Sequence, residues 1–149
     1  MYRHVNFAER AYWDEVCKTA PQAALCLFSA WQIYDLTTSI SSLVHIAIPV
    51  RKKPLMLEFP HVKIYFWSAD YYEIGKVYTT YNEEQIRIYD LKKSVCDIVG
   101  YHNKVGADIT IEILRNYLKR CDQSLDIIMK YAERMRIALV LKQYLTMML

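Results

Sequence analysis

Glycine and proline are scarce in this chain of 149 residues, which has three glycines and four prolines. The glycines stand apart, at Gly75, Gly100 and Gly106, so no glycine-rich loop of the kind that cradles phosphates is present. Few connections can therefore be long and irregular. The length favours one domain that covers residues 1–149.

The sequence also lacks the patterns of metal ribbons, export signals and membrane spans. Its four cysteines form no C-x-x-C pair, which argues against a zinc ribbon and predicts reduced, buried thiols at Cys17, Cys26, Cys96 and Cys121. No apolar run reaches the roughly 20 residues that cross a bilayer, and the first ten residues have no continuous apolar core. We therefore expect a cytoplasmic protein that uses no membrane, metal or cofactor.

A strong excess of positive charge is missing as well. The 19 basic and 16 acidic residues leave a formal net charge of +3, whereas a dedicated DNA-binding domain is usually more basic. The chain is instead rich in apolar residues (54%) and has thirteen tyrosines, which suit half-buried positions on strands and helices. The basic residues occur in small groups among acids, which favours a mixed solvated surface: Arg51–Lys53, Lys92–Lys93, Arg115 with Lys119–Arg120, and Arg134 with Arg136.

Catalytic motifs are not evident. Neither G-x-S-x-G nor H-E-x-x-H occurs, and the four histidines are scattered. His45 falls in a predicted strand, where a hydrogen-bonded structural histidine is expected. A metal-dependent nuclease would need two carboxylates and a lysine to converge, and Glu58 with Lys63 does not form the usual D/E-x-K arrangement. We therefore predict no catalytic residue and no enzyme activity.

Hydrophobic periodicity changes along the chain from helical to alternating and back to helical. The polar segment Thr37–Ser42 predicts a loop, Arg51–Pro54 a basic turn, and Val77, Ile86 and Ile88 are candidate core residues. The predicted helices are residues 6–18, 23–34, 91–100, 109–120, 125–133 and 137–148, and the predicted strands are residues 43–48, 62–67, 73–80 and 85–89. The expected fold class is α+β, with a small mixed sheet of about four strands flanked by N-terminal and C-terminal helices.

Three polar residues are expected to cap the later helices. Asp90, Asp108 and Ser124 each precede an apolar helical stripe, where a side-chain oxygen accepts free backbone N–H groups. In the last but one helix, Leu125 is expected to face inward with its apolar neighbours at helical spacing. Asp97 is expected at a helix end or on a solvated surface.

The sharpest polar cluster is Asn103-Lys104 followed by Gly106 and Asp108. It predicts a helix–loop–helix joint, in which Gly106 supplies backbone freedom and Lys104 meets a helix carbonyl or Asp97. The interpretation as a partner-contact site remains open beside the structural one.

The residues around this cluster resemble, in order and spacing, the C-terminal domain of AbiEi-type transcriptional regulators. That family supplies the antitoxins of type IV abortive-infection toxin–antitoxin systems. Upstream, Val44–Pro49 is similar to the family's strand ending in Ala-x-Pro, and Tyr34-Asp35 stands where the family often has His-Gly. The matching positions are Ser94, Asp97, Tyr101, Asn103, Lys104, Gly106, Asp108, Glu112, Leu114, Tyr131, Ala132, Arg136, Tyr144 and Leu145.

The resemblance implies a regulatory antitoxin module that counteracts a nucleotidyltransferase-like toxin and contributes to transcriptional autoregulation. It implies recognition of a partner or nucleic acid by Asn103, Lys104, Asp108, Arg115 and Arg136. Family members usually begin with a winged helix-turn-helix, and we expect too few residues before residue 24 to form one. DNA contact would then need a missing or separate winged helix. The alternative is a standalone nucleic-acid-binding protein that uses basic surface groups and exposed tyrosines.

Overall fold

A mixed sheet of five strands organises the fold. The computed structural model describes residues 23–50, 62–81 and 84–148. Across the sheet the strands follow the order β3-β2-β1-β5-β4. β1 pairs antiparallel with β2 and parallel with β5, β2 pairs parallel with β3, and β4 and β5 form an antiparallel pair. The strands are β1 (Ala24–Leu25), β2 (Val44–Pro49), β3 (Val62–Trp67), β4 (Lys76–Tyr81) and β5 (Glu84–Tyr89).

Seven helices accompany the sheet in the described ranges. The third of them is central, because it packs against the first, fifth, sixth and seventh. No helix in these ranges is long and apolar enough to cross a membrane. The helices are α1 (Leu27–Ile33), α2 (Ala69–Glu73), α3 (Leu91–Gly100), α4 (His102–Val105), α5 (Ala107–Leu118), α6 (Leu125–Arg134) and α7 (Ala138–Met148). The predicted α+β class is thus confirmed, with five strands rather than about four.

The alternation of side chains along the strands separates two apolar clusters. In β2, Val44, Ile46 and Ile48 join one cluster with Ile86 and Ile88 of β5. Ala47 of β2 joins the larger cluster, which the helices complete. Both clusters exclude water from apolar surface, which is the main favourable term in folding. The predicted core positions Ile86 and Ile88 are confirmed, since both are fully buried.

The predicted helix over residues 23–34 is wrong at its beginning. Ala24 and Leu25 form β1, and the helix begins only at Leu27. Cys26 N–H donates to the His45 carbonyl at 3.0 Å, which continues the pairing with β2. A strand buried on both faces has no alternating pattern, so its sequence cannot be distinguished from a buried helix by periodicity.

Two residues expected in the core are exposed. Val77 pairs with Ile88, but it lies on the edge strand β4 and 38% of its surface is accessible. Leu125 lies in the first turn of α6 and is 39% exposed. Each residue has the predicted secondary structure, but each lies at the margin of its element, where no described neighbour covers it completely.

The predicted helix caps are confirmed at two of three positions. Asp90 accepts the backbone N–H of Lys93 at 2.7 Å, and Ser124 accepts that of Ile127 at 3.3 Å. Asp108 is not a cap, because α5 begins at Ala107 and Asp108 lies in its first turn. The Asp108 carboxylate there still interacts favourably with the positive end of the helix dipole.

The remaining predicted elements agree with the structure where it describes them. The strands at residues 43–48 and 62–67, the β4–β5 hairpin and the helices from residue 91 onward are confirmed within two or three residues at their ends. Cys26 and Cys96 are buried as predicted, whereas Cys121 is exposed and that prediction is wrong. The predicted helix at residues 6–18, the basic turn at residues 51–54 and Cys17 lie outside the described residues.

Candidate functional site

The short helix α4 forms a hydrogen-bonded joint between α3 and α5. Tyr101 ends α3 and precedes α4, and its carbonyl accepts the N–H groups of Lys104 and Val105 at 2.9 and 3.0 Å. Gly106 ends α4 with a φ of +108°, a conformation that L side chains rarely adopt. No atom lies within 4 Å of a Cβ built at Gly106, so the backbone angle itself requires glycine.

All five residues predicted to contact a partner are exposed. Asn103 and Lys104 lie on α4, and Asp108 lies just beyond Gly106 in the first turn of α5. Arg115 follows Asp108 by seven residues, about two helical turns, and therefore shares its face of α5. Arg136 lies apart from the joint, in the turn between α6 and α7, with a φ of +62°. The joint thus brings Asn103, Lys104 and Asp108 into one short segment.

α5 is fixed against the loop that follows α1. The Glu112 carboxylate accepts from the Thr37 hydroxyl at 2.6 Å and from the Thr38 hydroxyl at 3.0 Å. One turn later, the Asn116 amide donates to the Leu36 carbonyl at 2.7 Å. These contacts join parts of the chain that are far apart in sequence. They hold the helix that presents Asp108 and Arg115 in one orientation.

A groove of about 630 Å³ lies between the α4–α5 joint and α7. The His102 ring meets the Tyr144 ring edge-to-face at 5.5 Å, and a hydrogen bond of 3.0 Å joins His102 Nδ1 to the Tyr144 hydroxyl. Met147 is 68% exposed at the groove. The lining combines apolar and polar side chains: His102, Ala107, Val140, Lys142, Gln143, Tyr144, Thr146 and Met147.

Inside the fold, α3 carries a buried ion pair. Lys93 Nζ lies 2.7 Å from Asp97 Oδ1, and both side chains are completely inaccessible. The ammonium also lies 4.2–4.5 Å from the ring centroids of Trp67, Tyr71 and Tyr89, which surround it as a cation–π cage. The Tyr71 hydroxyl donates to the same carboxylate oxygen at 2.8 Å.

Burial dominates the electrostatics of this ion pair. It raises the pKa of Asp97, while the Lys93 ammonium and the Tyr71 hydroxyl act in the opposite direction. Burial, reinforced by the Asp97 charge, also raises the pKa of Tyr71, so the phenol keeps the proton that it donates. Burial likewise raises the pKa of Cys26 well above its ordinary value, which leaves this residue a thiol and a poor nucleophile at neutral pH.

The sequence did not reveal this ion pair. The predictions that Lys93 belongs with Lys92 to a solvated surface and that Asp97 lies at a helix end or in solvent are both wrong, because both side chains are fully buried. Of the two contacts predicted for Lys104, the one with Asp97 is wrong, since Asp97 is completely buried and Lys104 is exposed. One available signal is the i, i+4 spacing of Lys93 and Asp97, with the apolar pair Val95-Cys96 before Asp97 and Ile98-Val99 after it.

A surface strip of two lysines and two tyrosines runs from β3 to α4. We call Lys63, Tyr65, Tyr101 and Lys104 the tyrosine–lysine strip. Lys63 Nζ lies 5.9 Å from the Tyr65 ring centroid, the two tyrosine rings meet edge-to-face at 5.6 Å, and Lys104 Nζ lies 5.7 Å from the Tyr101 centroid. The lysines are exposed and the tyrosines half-buried.

Buried partners fix both tyrosines of the strip. A hydrogen bond of 3.0 Å joins the Tyr65 hydroxyl to His45 Nδ1, and His45 Nε2 lies 2.9 Å from Ser41 Oγ. The Tyr101 hydroxyl accepts the indole N–H of Trp67 at 2.8 Å. The hydroxyl ends therefore point into the protein, and the rings are held at its surface.

Within the described ranges, no three histidine, cysteine, aspartate or glutamate side chains lie close enough together to hold a metal ion. No protein-family model matches the sequence, and a comparison with curated proteins gives no match either. The family resemblance and the partner contacts that it implies therefore stay predictions.

Proposed function

We propose that this chain is a non-enzymatic antitoxin module that counteracts a nucleotidyltransferase-like toxin. In this proposal it also contributes to transcriptional autoregulation. The observation that carries the proposal is the exposed pair Asn103 and Lys104, which the α4 joint holds beside a groove of about 630 Å³ with a partly apolar lining. Concave, partly apolar sites with a few fixed polar groups are typical binding sites.

The residues that carry the family resemblance divide into two groups, and this division supports the proposal. One group builds the joint: Asp97 pairs with Lys93, Tyr101 accepts from Trp67, and Gly106 adopts positive φ. The other group, Asn103 and Lys104 together with Asp108, is exposed on that joint. Polar residues held rigidly at a surface are well placed to recognise a partner.

The proposed contact combines burial and charge. An apolar side chain of the toxin enters the groove and covers Met147 and Val140, while Lys104 and Lys142 meet acidic groups of the toxin. The buried apolar contact supplies most of the affinity, and the charges set orientation and association rate.

Growth rescue tests the proposal directly. The chain is co-expressed with a nucleotidyltransferase-like toxin from the genome that encodes it, and colony formation is compared with that for the toxin alone. Rescue by the wild-type chain is expected. Failure to rescue at verified expression levels would remove the toxin from the proposal.

Two variants of α7 test the groove itself. Met147→Glu places a charge in the groove and should abolish rescue together with co-purification of the toxin. Leu139→Glu is the matched control, because Leu139 is 70% exposed on the same helix and does not line the groove. Equal behaviour of the two variants would exclude the groove as the contact site.

A further inference from the structure

We propose that the tyrosine–lysine strip binds single-stranded nucleic acid. Bases stack on the rings of Tyr65 and Tyr101, and the neighbouring phosphates meet Lys63 and Lys104. This activity does not depend on neutralisation of a toxin. It assigns the alternative function predicted from the sequence, nucleic-acid binding, to a specific surface of the protein.

The positions of the lysines show that the ring faces can be reached. Each ammonium lies over a tyrosine ring, 5.9 Å from the centroid in Tyr65 and 5.7 Å in Tyr101. Both lysines are exposed and both tyrosines are half-buried, so each ring keeps part of its surface open to solvent even though the His45 ring stacks on Tyr65 at 5.7 Å. A base can replace the ammonium over the ring, and the flexible lysine can then turn to the adjoining phosphate.

The charge of the strip suits a polyanion. Among the described residues, no carboxylate forms an ion pair with Lys63 or Lys104. Asp97, which lies below the strip, is committed to Lys93 and completely buried. Both ammonium groups are therefore available to phosphates, and their charge attracts a nucleic-acid backbone at low ionic strength.

The strip is ordered before any ligand arrives. His45 anchors the hydroxyl of Tyr65 and Trp67 anchors that of Tyr101, so neither ring loses much freedom on binding. A rigid aromatic platform reduces the entropy loss that accompanies association. This distinguishes the two rings from a mobile surface tyrosine such as one on an open loop.

The geometry favours single strands over duplexes. The two rings lie 5.6 Å apart and meet at 81°, so they offer faces in different directions. Bases in a duplex are stacked on each other and cannot turn their faces to such rings, whereas successive bases of a single strand can. Two rings and two lysines correspond to a contact of about two nucleotides within a longer strand.

Binding of a fluorescently labelled thymidine oligonucleotide, followed by anisotropy at low salt, tests the proposal. Tyr101→Phe and Tyr101→Leu form the central comparison, because both remove the acceptor of the Trp67 N–H and only the leucine removes the ring. Far-UV circular dichroism checks that both variants are folded. The phenylalanine variant should bind like the wild type, whereas the leucine variant should bind about tenfold more weakly.

A matched pair of double variants tests the role of charge. Lys63→Glu with Lys104→Glu should abolish binding, while Lys119→Glu with Lys130→Glu, an equal change of net charge at exposed positions outside the strip, should have little effect. For two phosphate contacts, the logarithm of the wild-type binding constant should fall with the logarithm of salt concentration with a slope of about −1.4.

Several outcomes would overturn the proposal. They are absence of binding, equal affinity for duplex and single strand, equal binding by the phenylalanine and leucine variants, or equal losses in the two double variants. The Met147→Glu variant should bind the oligonucleotide normally, since Met147 lies outside the strip. A negative result in the oligonucleotide-binding assay is therefore distinguishable from a negative result in the assays of the toxin contact.

Discussion

At the scale of single residues, the ion pair between Lys93 and Asp97 shapes the interior more than any other polar contact described. The carboxylate interacts with Lys93 and Tyr71, and its second oxygen, Oδ2, is buried with no hydrogen-bond partner among the described residues. The transfer of two charges from water into the interior costs free energy, and the attraction between them offsets only part of that cost. The pair is thus sensitive to the loss of either member.

Lys93→Met should lower the free energy of unfolding by about 3–5 kcal/mol, because it leaves the Asp97 charge buried and unpaired. Lys93→Met combined with Asp97→Asn should recover most of that loss, since asparagine is neutral and can still accept from Tyr71. Urea denaturation of the single and double variants measures both effects. A double variant no more stable than Lys93→Met would contradict this explanation.

His45 makes stability depend on pH. Burial, aided by the charge of Lys63, lowers its pKa from the ordinary 6.5 to about 4. Between these values the unfolded chain binds a proton at this residue and the folded chain does not. Stability is therefore fully present above pH 6.5 and decreases as the pH falls towards 4.

We expect the wild type to lose stability relative to His45→Gln over this window, by up to about 1.4 kcal/mol per pH unit. The difference between the two proteins removes the common contribution of the carboxylates. Urea midpoints at pH 7, 6 and 5 provide the measurement. Parallel pH profiles for the two proteins would show that His45 titrates normally.

At the scale of elements, two glycines with positive φ are required for different reasons, one for its backbone angle alone and the other also for lack of space. Gly75, before β4, has a φ of +75°, and a Cβ there would lie 2.6 Å from Cβ of Lys93. Gly106, before α5, has a φ of +108° and open space around it. Only Gly75 therefore combines backbone strain with a steric contact.

Gly106→Ala should destabilise the protein by about 1–3 kcal/mol through backbone strain alone, because its φ of 108° and ψ of 154° lie in a region essentially restricted to glycine. Gly75→Ala should have a clearly larger effect, because the Cβ of Lys93 and the backbone that carries it must also move. The difference between the two urea midpoints is the informative quantity. Equal midpoints would mean that the turn at Gly75 relaxes around the added methyl group.

The elements that can be predicted from the sequence are those whose apolar residues recur with a clear period. The stripe of α5 is predictable because a helix with one exposed face repeats its apolar residues every three or four positions, and the cap at Asp90 is predictable because an acidic residue directly precedes such a helix. β1 could not be predicted because Ala24 and Leu25 are buried within an apolar run that does not alternate with polar residues. A buried helix has the same sequence pattern. The exposure of an edge-strand residue such as Val77 depends on which other elements cover it, and the local sequence pattern does not specify those elements.

The candidate site was predicted only in part, for a related reason. Asn103, Lys104 and Asp108 were recognised because they are polar and close in sequence. The strip was missed because Lys63 and Tyr65 come from β3, and only the folded chain brings them to Tyr101. The Lys93 cage was missed because its rings come from β3, α2 and β5.

At the scale of the whole molecule, the helices and one face of the sheet enclose the larger of the two apolar clusters, and the reactivity of the thiols reports on its opening. Cys26 and Cys96 lie in the larger apolar cluster, whereas Cys121 is exposed after α5. A thiol reagent can reach the first two only when the packing between helices and sheet opens.

Under native conditions, Cys121 should react with an excess of a maleimide much faster than Cys26 and Cys96, whose labelling should follow the population of open molecules. Peptide mapping by mass spectrometry assigns each site. In guanidinium chloride the three should react at similar rates, which serves as the control. Fast native labelling of Cys26 would contradict the packing of β1 described above.

The position of β1 also has a consequence for the order of folding. β1 is the first described strand in the chain, yet it lies in the middle of the sheet and joins the β2–β3 pair to the β4–β5 pair through residues Ala24 and Leu25. During synthesis, Leu25 leaves the ribosome long before its partner Ile88. Until then β1, which can already pair with β2, has an unpaired edge on its other side, the kind of surface from which misassembly between chains begins. The first described strand is thus among the last to be fully paired, and such distant contacts slow folding.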